Sequence, residues 1–227
     1  EFRLKSTDGP YLWFLLRARP VVGNDGEVMR CVGTMVDITE ARMAEERLLH
    51  DAVHDNLTGL PNRKLFLDRL DGALARAKAD DGAAAPTTIL LDLDRFKQVN
   101  ESVGMAVGDS VILTLARRLQ RLLKPQDTLA RLSGDQFGLL ILSESDEART
   151  AELAESLRRT VKAPITFGDR EIFLTASVGI VTPDPQGTRR RDEILKLAEI
   201  AMIHAKRQGG DRAEVFRPTL QVEKKDR

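Results

Sequence analysis

The chain has 227 residues, 42% of them hydrophobic, which is enough for one full domain and a smaller second unit. Its 35 basic and 35 acidic residues balance, so no overall field favours nucleic acid or an anionic membrane as a partner. One cysteine excludes an internal disulfide, three histidines form no metal-binding spacing, and no apolar run approaches the roughly 20 residues that span a bilayer. We therefore expect a cytoplasmic chain, or a cytoplasmic part of a larger protein, without a secretory signal.

Residues 1–39 alternate between polar and apolar side chains and predict three strands joined by turns at Asp8-Gly9 and Asn24-Asp25-Gly26. Asp-Gly-x-Tyr-x-Trp, followed by Gly-x-x-x-Asp-Ile-Thr-Glu, resembles the C-terminal half of a PAS sensor domain. Three strands cover one face of a core but do not enclose the ligand cavity of a whole PAS domain of roughly 100 residues. We assign 1–39 to the C-terminal part of such a domain.

Residues 40–54 have the composition of a helix that Asp37 or Thr39 can cap, with one apolar stripe that includes Leu48, Leu49 and Val53. One interpretation is a helix packed on its own domain. The other is a linker helix that pairs in parallel with a second copy as a signalling coiled coil, giving a homodimer.

From Asp55 the pattern changes to alternating helices and strands and predicts an α/β (α+β) fold, with a mostly antiparallel central sheet flanked by helices. The predicted elements are a helix from Asn62 to Ala79, a loop over 80–86, a strand over 87–93, a helix over 96–103, a helix capped by Asp109 or Ser110 and reaching Leu123, a hairpin around Ser133-Gly134-Asp135, a helix over 146–161, two strands joined by 167–171 of which the second ends near Thr182, a helix over 191–208, and a strand over 213–216.

Several motifs in this part of the chain occur in one order. They are Asp55-x-Leu-Thr-x-Leu-x-Asn-Arg63, Asp92-Leu-Asp-Arg-Phe-Lys-Gln-Val-Asn100, Gly104-x-x-x-Gly-Asp109 and Ser133-Gly-Asp-Gln-Phe137. Together they resemble the GGDEF family, whose fold is that of the nucleotide cyclases and whose active members condense two GTP molecules into cyclic di-GMP. The resemblance covers about 55–218 and implies a GGDEF domain there.

The resemblance also implies a nucleotide site. Asp92 and Asp135 match the metal ligands, and two carboxylates at strand ends can share Mg²⁺ bound to a nucleotide's phosphates. The positions that match nucleotide-binding residues are Phe96, Lys97, Asn100, Asp109, Gly134 and Lys206. Asp109 offers guanine a carboxylate that accepts its two neighbouring donors, and Asn100 matches the second base-reading residue. The plainer alternatives are that Asp109 only caps a helix and that the lysines are ordinary surface charges.

Four positions depart from the family pattern. Ser133 replaces the first hairpin glycine, Gln136 replaces the second acidic residue, Gly210 stands where an arginine usually binds phosphate, and Met105 replaces a histidine. An amide neither accepts a proton as a base nor offsets metal charge, so we assign no catalytic residue in this degenerate hairpin. The family's inhibitory Arg-x-x-Asp motif has a remnant in Lys124 and Asp127, and lysine lacks the planar fork that pairs with guanine.

These features predict a degenerate GGDEF domain in cyclic di-GMP signalling that binds GTP or GDP with Mg²⁺ but does not make cyclic di-GMP. Residues 219–227 are charged and resemble a linker toward a further domain. In this family an EAL phosphodiesterase domain often follows, so we expect a covalently linked EAL domain as the regulated partner. Two alternatives stay open: a weakly active diguanylate cyclase, and a dimerisation and relay module with an empty pocket.

Overall fold

The structure, a computed structural model, describes residues 1–7, 9–80, 85–184 and 187–222. The chain divides into two compact units, Glu1–Ala52 and Val53–Arg227. Asp8 of the first predicted turn, residues 81–84 of the predicted loop and residues 223–227 of the predicted linker lie outside the described residues. Within the described part of the chain, no helix is long and apolar enough to cross a membrane.

The first unit is an antiparallel sheet followed by a helix. Its elements are β1 (Phe2–Lys5), β2 (Tyr11–Val22), β3 (Val28–Asp37) and α1 (Thr39–Asp51). The three predicted strands are thus present. At the start of α1, Asp37 Oδ1 accepts a hydrogen bond from Thr39 N at 2.8 Å, while Thr39 Oγ1 accepts one from Trp13 N at 2.8 Å. These two bonds fix the direction in which α1 leaves β3.

The second unit has a mixed sheet covered by helices. Its elements are α2 (Arg63–Ala79), β4 (Thr87–Leu93), α3 (Phe96–Val103), α4 (Met105–Gln120), β5 (Thr128–Ser133), β6 (Gln136–Ile141), α5 (Glu147–Lys162), β7 (Ile165–Phe167), β8 (Arg170–Ile172), β9 (Ala176–Val181), α6 (Arg191–Arg207), β10 (Arg212–Val215) and α7 (Thr219–Val222). The central sheet has the order β10-β9-β4-β6-β5, antiparallel except for β10 with β9, and β7 and β8 form a separate pair.

β4 lies in the middle of this sheet and every one of its residues is buried. Two apolar clusters cover the sheet. One contains Leu91, Ile112 and Leu115, and the other contains Phe66, Leu70 and Leu197. Burial on both faces explains the continuous apolar run that predicted this strand, since a half-exposed strand would alternate. The end of β4 therefore presents Asp92 from a rigid element.

Four predicted boundaries were wrong. α4 begins at Met105, with Gly104 (φ +88°) as its cap, so neither Asp109 nor Ser110 starts the helix. It ends at Gln120, short of Leu123. α1 ends at Asp51, so Val53 lies outside the helix. The single strand expected before Thr182 is two strands, β8 and β9, in different sheets. The expected linker from 219 onward begins with the short helix α7, and its role as a linker stays a prediction.

Candidate nucleotide and metal site

Asp92 and Asp135 come together where β4 meets the β5–β6 hairpin. Asp92 is the cross-strand partner of Gln136, which directly follows Asp135. The backbone continues this contact, because Leu93 N donates to Asp135 O at 3.2 Å. The two candidate metal ligands are therefore on adjacent chain segments, at the end of β4 and in the turn before β6, as expected for neighbouring strands.

Lys206, in the last turn of α6, reaches the same place. Its Nζ lies 2.5 Å from Asp92 Oδ1, and the Asp92 side chain is 12% exposed. Burial is the main reason why the pKa of Asp92 lies above its usual value; the Lys206 ammonium opposes this shift, and the charge of Asp135 adds to it. The site thus places one cation against the Asp92 carboxylate, which also lies within reach of the charge of Asp135.

These residues fit Mg²⁺. Among the described residues, Asp92 Oδ1 is buried without a hydrogen bond of good geometry, although it is ion-paired with Lys206. No group of three His, Cys, Asp or Glu side chains in the described ranges could hold a metal by itself. Two carboxylates are nevertheless enough, because protein-bound Mg²⁺ commonly takes one or two carboxylates and completes its shell with water and phosphate oxygens.

The hairpin residue Gln136 faces α6. Its Nε2 donates to Met202 Sδ at 3.7 Å. An ionised glutamate at position 136, the residue that the family pattern has there, would have no proton to donate to this sulfur. Ser133, the other hairpin departure, is exposed at the end of β5 and pairs with Gln136 across the turn.

Asn100 and Asp109 lie at one junction between α3 and α4. A Cβ on Gly108 would be 1.8 Å from Asn100 Oδ1, so the glycine makes room for the asparagine side chain. Asn100 Oδ1 is buried and lacks a hydrogen-bond donor within the described part of the chain. Asp109, next to Gly108, is exposed. Because α4 is capped by Gly104, the interpretation of Asp109 as its N-cap was wrong.

The remaining candidates differ in their surroundings. Phe96 is buried at the first position of α3, after Arg95 in the left-handed region (φ +56°). Lys97 is 88% exposed and lies 3.8 Å from Glu101, which is the geometry of a surface charge. Met105 is exposed at the start of α4.

Asp127 of the inhibitory remnant is engaged locally. Its carboxylate accepts hydrogen bonds from Lys124 N, Leu142 N, Ser143 N and Ser143 Oγ at 2.8–3.0 Å. Asp127 and Leu142 also border a cavity of about 510 Å³, which Arg69 and Arg76 of α2 line as well. Asp127 therefore already serves the turn between α4 and β5.

Sequence reasoning also missed a connection made by Arg131. Arg131 on β5 donates to Gly134 O at 2.9 and 2.7 Å and to both Asp55 carboxylate oxygens at 3.1 and 3.2 Å. It joins the entry turn of this unit to the hairpin that carries Asp135. Asp55 stands in the first of the motifs described above, but Arg131 stands in none, and their pairing across 76 residues has no local signal.

Comparisons with known proteins identify a matching family and similar sequences. The family described as "Diguanylate cyclase, GGDEF domain" matches residues 52–212. The chain is 40% identical over 176 residues to the bifunctional diguanylate cyclase/cyclic di-GMP phosphodiesterase MucR of Pseudomonas aeruginosa, covering 78% of this chain and 25% of MucR. It is 33% identical over 206 residues to the diguanylate cyclase TpbB of the same organism, covering 88% of this chain and 47% of TpbB.

Solved structures are similar as well. The isolated GGDEF domain of TpbB superposes with a TM-score of 0.71 at 30% identity, covering 76% of this chain and 99% of that one. The coiled coil and GGDEF domain of DgcB from Caulobacter crescentus, in complex with c-di-GMP, gives 0.70 at 28% identity, covering 78% and 93%. The chain spans only 25–30% of the length of three curated relatives.

Proposed function

The chain belongs to the diguanylate cyclase GGDEF family, and from that premise we propose that it binds GTP or GDP together with Mg²⁺ without making cyclic di-GMP. Its role in cyclic di-GMP signalling would then be regulatory. The nucleotide-bound state, rather than a product, is the signal that this domain transmits.

One observation carries the proposal: the two candidate metal ligands lie on adjacent segments, while the fourth hairpin position holds an amide that is hydrogen-bonded to Met202. Asp92 and Asp135 are the residues that would hold Mg²⁺, which when bound supplies charge to neutralise the phosphates. Lys206 adds a second positive group beside Asp92. Binding therefore keeps its electrostatic basis, whereas Gln136 cannot accept the proton of a ribose hydroxyl.

Asn100 and Asp109 support guanine as the base. A buried amide oxygen without a donor is costly unless a ligand supplies one, and guanine offers two adjacent N–H donors. Asp109 directly follows Gly108, whose backbone packs against this oxygen. We therefore place the base at the α3–α4 junction and the phosphates near Asp92, with Phe96, Lys97, Gly134 and Lys206 along the nucleotide.

We further propose that the GGDEF domain regulates an EAL phosphodiesterase domain in the same polypeptide. The named relative MucR is bifunctional, with cyclase and phosphodiesterase activities, and this chain matches only 25% of it. The PAS-like sheet of the first unit would supply the input. A GTP-dependent signalling unit with one free cysteine, Cys31, suits the reducing cytoplasm.

A weakly active cyclase is the second candidate. It is supported by Asp92, Asp135 and Lys206, the residues proposed to bind metal and phosphate, since Lys206 contacts Asp92 and Asp135 lies on the adjacent hairpin. Two assays separate the possibilities. Calorimetry should show micromolar GTP affinity with Mg²⁺ and much weaker binding with EDTA or with ATP. Chromatography after incubation with Mg²⁺ and GTP should show no cyclic di-GMP. Product formation would support the weak cyclase, and absence of nucleotide binding would leave only the relay module.

A further inference from the structure

We propose that Asp94 is a positioning residue for the nucleotide site: it fixes the turn Gly209–Asp211 and thereby holds Lys206 against Asp92. Its consequence for nucleotide affinity rests on the proposed function. The positioning itself is a property of the free protein. Asp94 is therefore not a third metal ligand, although it stands two residues after Asp92 in a carboxylate-rich motif.

The carboxylate of Asp94 is committed to protein donors. Its Oδ2 accepts from Thr175 Oγ1 at 2.7 Å and from Asp211 N at 3.0 Å, and its Oδ1 accepts from Ser177 Oγ at 2.7 Å. Asp94 N also donates to Thr175 O at 2.8 Å. These bonds join the end of β4 to the start of β9 and to the turn before β10.

That turn is continuous with the end of α6. Gly209 N donates to Lys206 O at 3.2 Å, and Gly210 N donates to Ala205 O at 3.1 Å. The last helical turn and the segment bound by Asp94 thus move together. Asp92, near the end of β4, thus contacts α6 through the Lys206 ammonium, which lies 2.5 Å from Asp92 Oδ1. Asp94, just after β4, contacts the turn that follows α6.

Gly210 shows how closely this contact is packed. A Cβ at position 210 would be 2.9 Å from Asp94 Oδ2, and the residue has φ +74°. Asp211, also in the left-handed region (φ +49°), extends its carboxylate the other way, to Arg158 and to Lys162 Nζ at 2.7 Å. α5 therefore supports the turn from outside, while Asp94 supports it on the side of the site.

The test compares Asp94→Ala and Asp94→Asn with wild type by ¹⁵N NMR of the lysine ammonium groups, without nucleotide. The Lys206 signal is identified by its loss in Lys206→Gln. We expect Asp94→Ala to lose the signal of the paired ammonium. Asp94→Asn should retain it, because an amide can still accept from Asp211 N and the hydroxyl of Ser177 can accept from its nitrogen.

Asp184→Ala is the matched control. Among the described residues, Thr188 N, Thr188 Oγ1 and Arg189 N donate hydrogen bonds to Asp184, which lies outside the site. The Asp184→Ala variant should leave the Lys206 signal unchanged. If Asp94→Ala does not fold, Thr175→Val removes one donor to Asp94 and should shift the same signal.

GTP titration in Mg²⁺ then gives the functional readout. Asp94→Ala should weaken affinity about 10- to 100-fold, the range typical of residues that orient ligand-binding groups. In the Lys206→Gln background the same change should add little, because its effect passes through Lys206.

The outcomes separate the two proposals. If wild type fails to bind GTP but Asp94→Ala loses the Lys206 signal, the proposed function fails and the positioning role stands. If Asp94→Ala keeps the signal, or if Asp94→Asn loses it as fully as alanine does, Asp94 does not act by positioning, whatever GTP does. Additive losses of GTP affinity in Asp94→Ala/Lys206→Gln would also contradict the positioning role of Asp94.

Discussion

At the scale of single residues, the proposed guanine recognition depends on Asp109 and Asn100. Asp109→Ala removes the carboxylate that we propose pairs with the two guanine donors, and unpaired donors cost about 1–3 kcal/mol. We expect GTP affinity to fall roughly 10- to 100-fold while ATP affinity stays unchanged. Calorimetry checks this, with Glu152→Ala, an exposed carboxylate on α5, as control. Equal GTP affinity in Asp109→Ala and wild type would contradict guanine readout at this position.

Gly210, one of the four positions that depart from the family pattern, is packed so closely against Asp94 that a side chain there should destabilise the fold. Gly210→Ala should destabilise the protein more than Gly168→Ala, because both residues have positive φ but nothing lies within 4 Å of a Cβ at Gly168. Left-handed strain is common to both, at about 1–2 kcal/mol. The excess at Gly210 measures its contact with Asp94. Urea unfolding gives the free energy of unfolding of both variants. Equal losses of stability in the two variants would show that the turn at Gly210 accommodates a Cβ without additional strain.

At the scale of secondary structure elements, Asp55 and Arg131 tie the entry turn to β5. Burial raises the pKa of Asp55, but hydrogen bonds from Thr58 and Arg131 outweigh it and hold the pKa below its usual value. Because the folded-state pKa is depressed, this stabilisation is present above the unfolded pKa of about 3.9 and is lost as pH falls through the folded value.

Asp55→Asn should therefore cost about 1–3 kcal/mol at neutral pH and progressively less in acid. The measurement is urea unfolding from pH 7 down to pH 3, beside Asp68→Asn on the exposed side of α2. A cost that does not change with pH would mean that the shape of the side chain matters, and not its charge.

The secondary structure elements also differ in how well the sequence predicts them. The elements of the sheet were predictable, because buried strands are continuous apolar runs and the hairpin has turn residues between two of them. The start of α4 was not, since Gly104 caps it with backbone geometry while Asp109 gives the stronger local signal. The site was predictable as motifs only. Its cross-links, Lys206 with Asp92 and Asp94 with Asp211 N, join distant segments and become visible only in three dimensions.

At the scale of the whole molecule, α1 offers a surface for a second copy. Leu48 and Leu49 are 71% and 66% exposed in the first unit. Burying a leucine contributes roughly 1.5–3 kcal/mol, so a few per chain support a concentration-dependent dimer. Sedimentation should show this equilibrium for wild type and its loss in Leu48→Asp/Leu49→Asp. Glu45→Gln/Glu46→Gln, also exposed on α1, is the control. A wild type that stays monomeric at high concentration would refute the coiled-coil pairing.

Any cyclase activity would also depend on the whole molecule, because we expect the condensation of two GTP molecules to need two GTP-loaded domains that face each other. Restoring the motif with Ser133→Gly/Gln136→Glu should not produce it. A glutamate at position 136 loses the hydrogen bond to Met202 and adds charge beside Asp92, whose pKa burial already raises. Position 210 would still lack an arginine, and its packing against Asp94 leaves no room for one without rearrangement. Chromatography of Mg²⁺–GTP incubations, with TpbB assayed alongside, should show product from TpbB alone; turnover by the restored variant would mean that two hairpin residues suffice for catalysis.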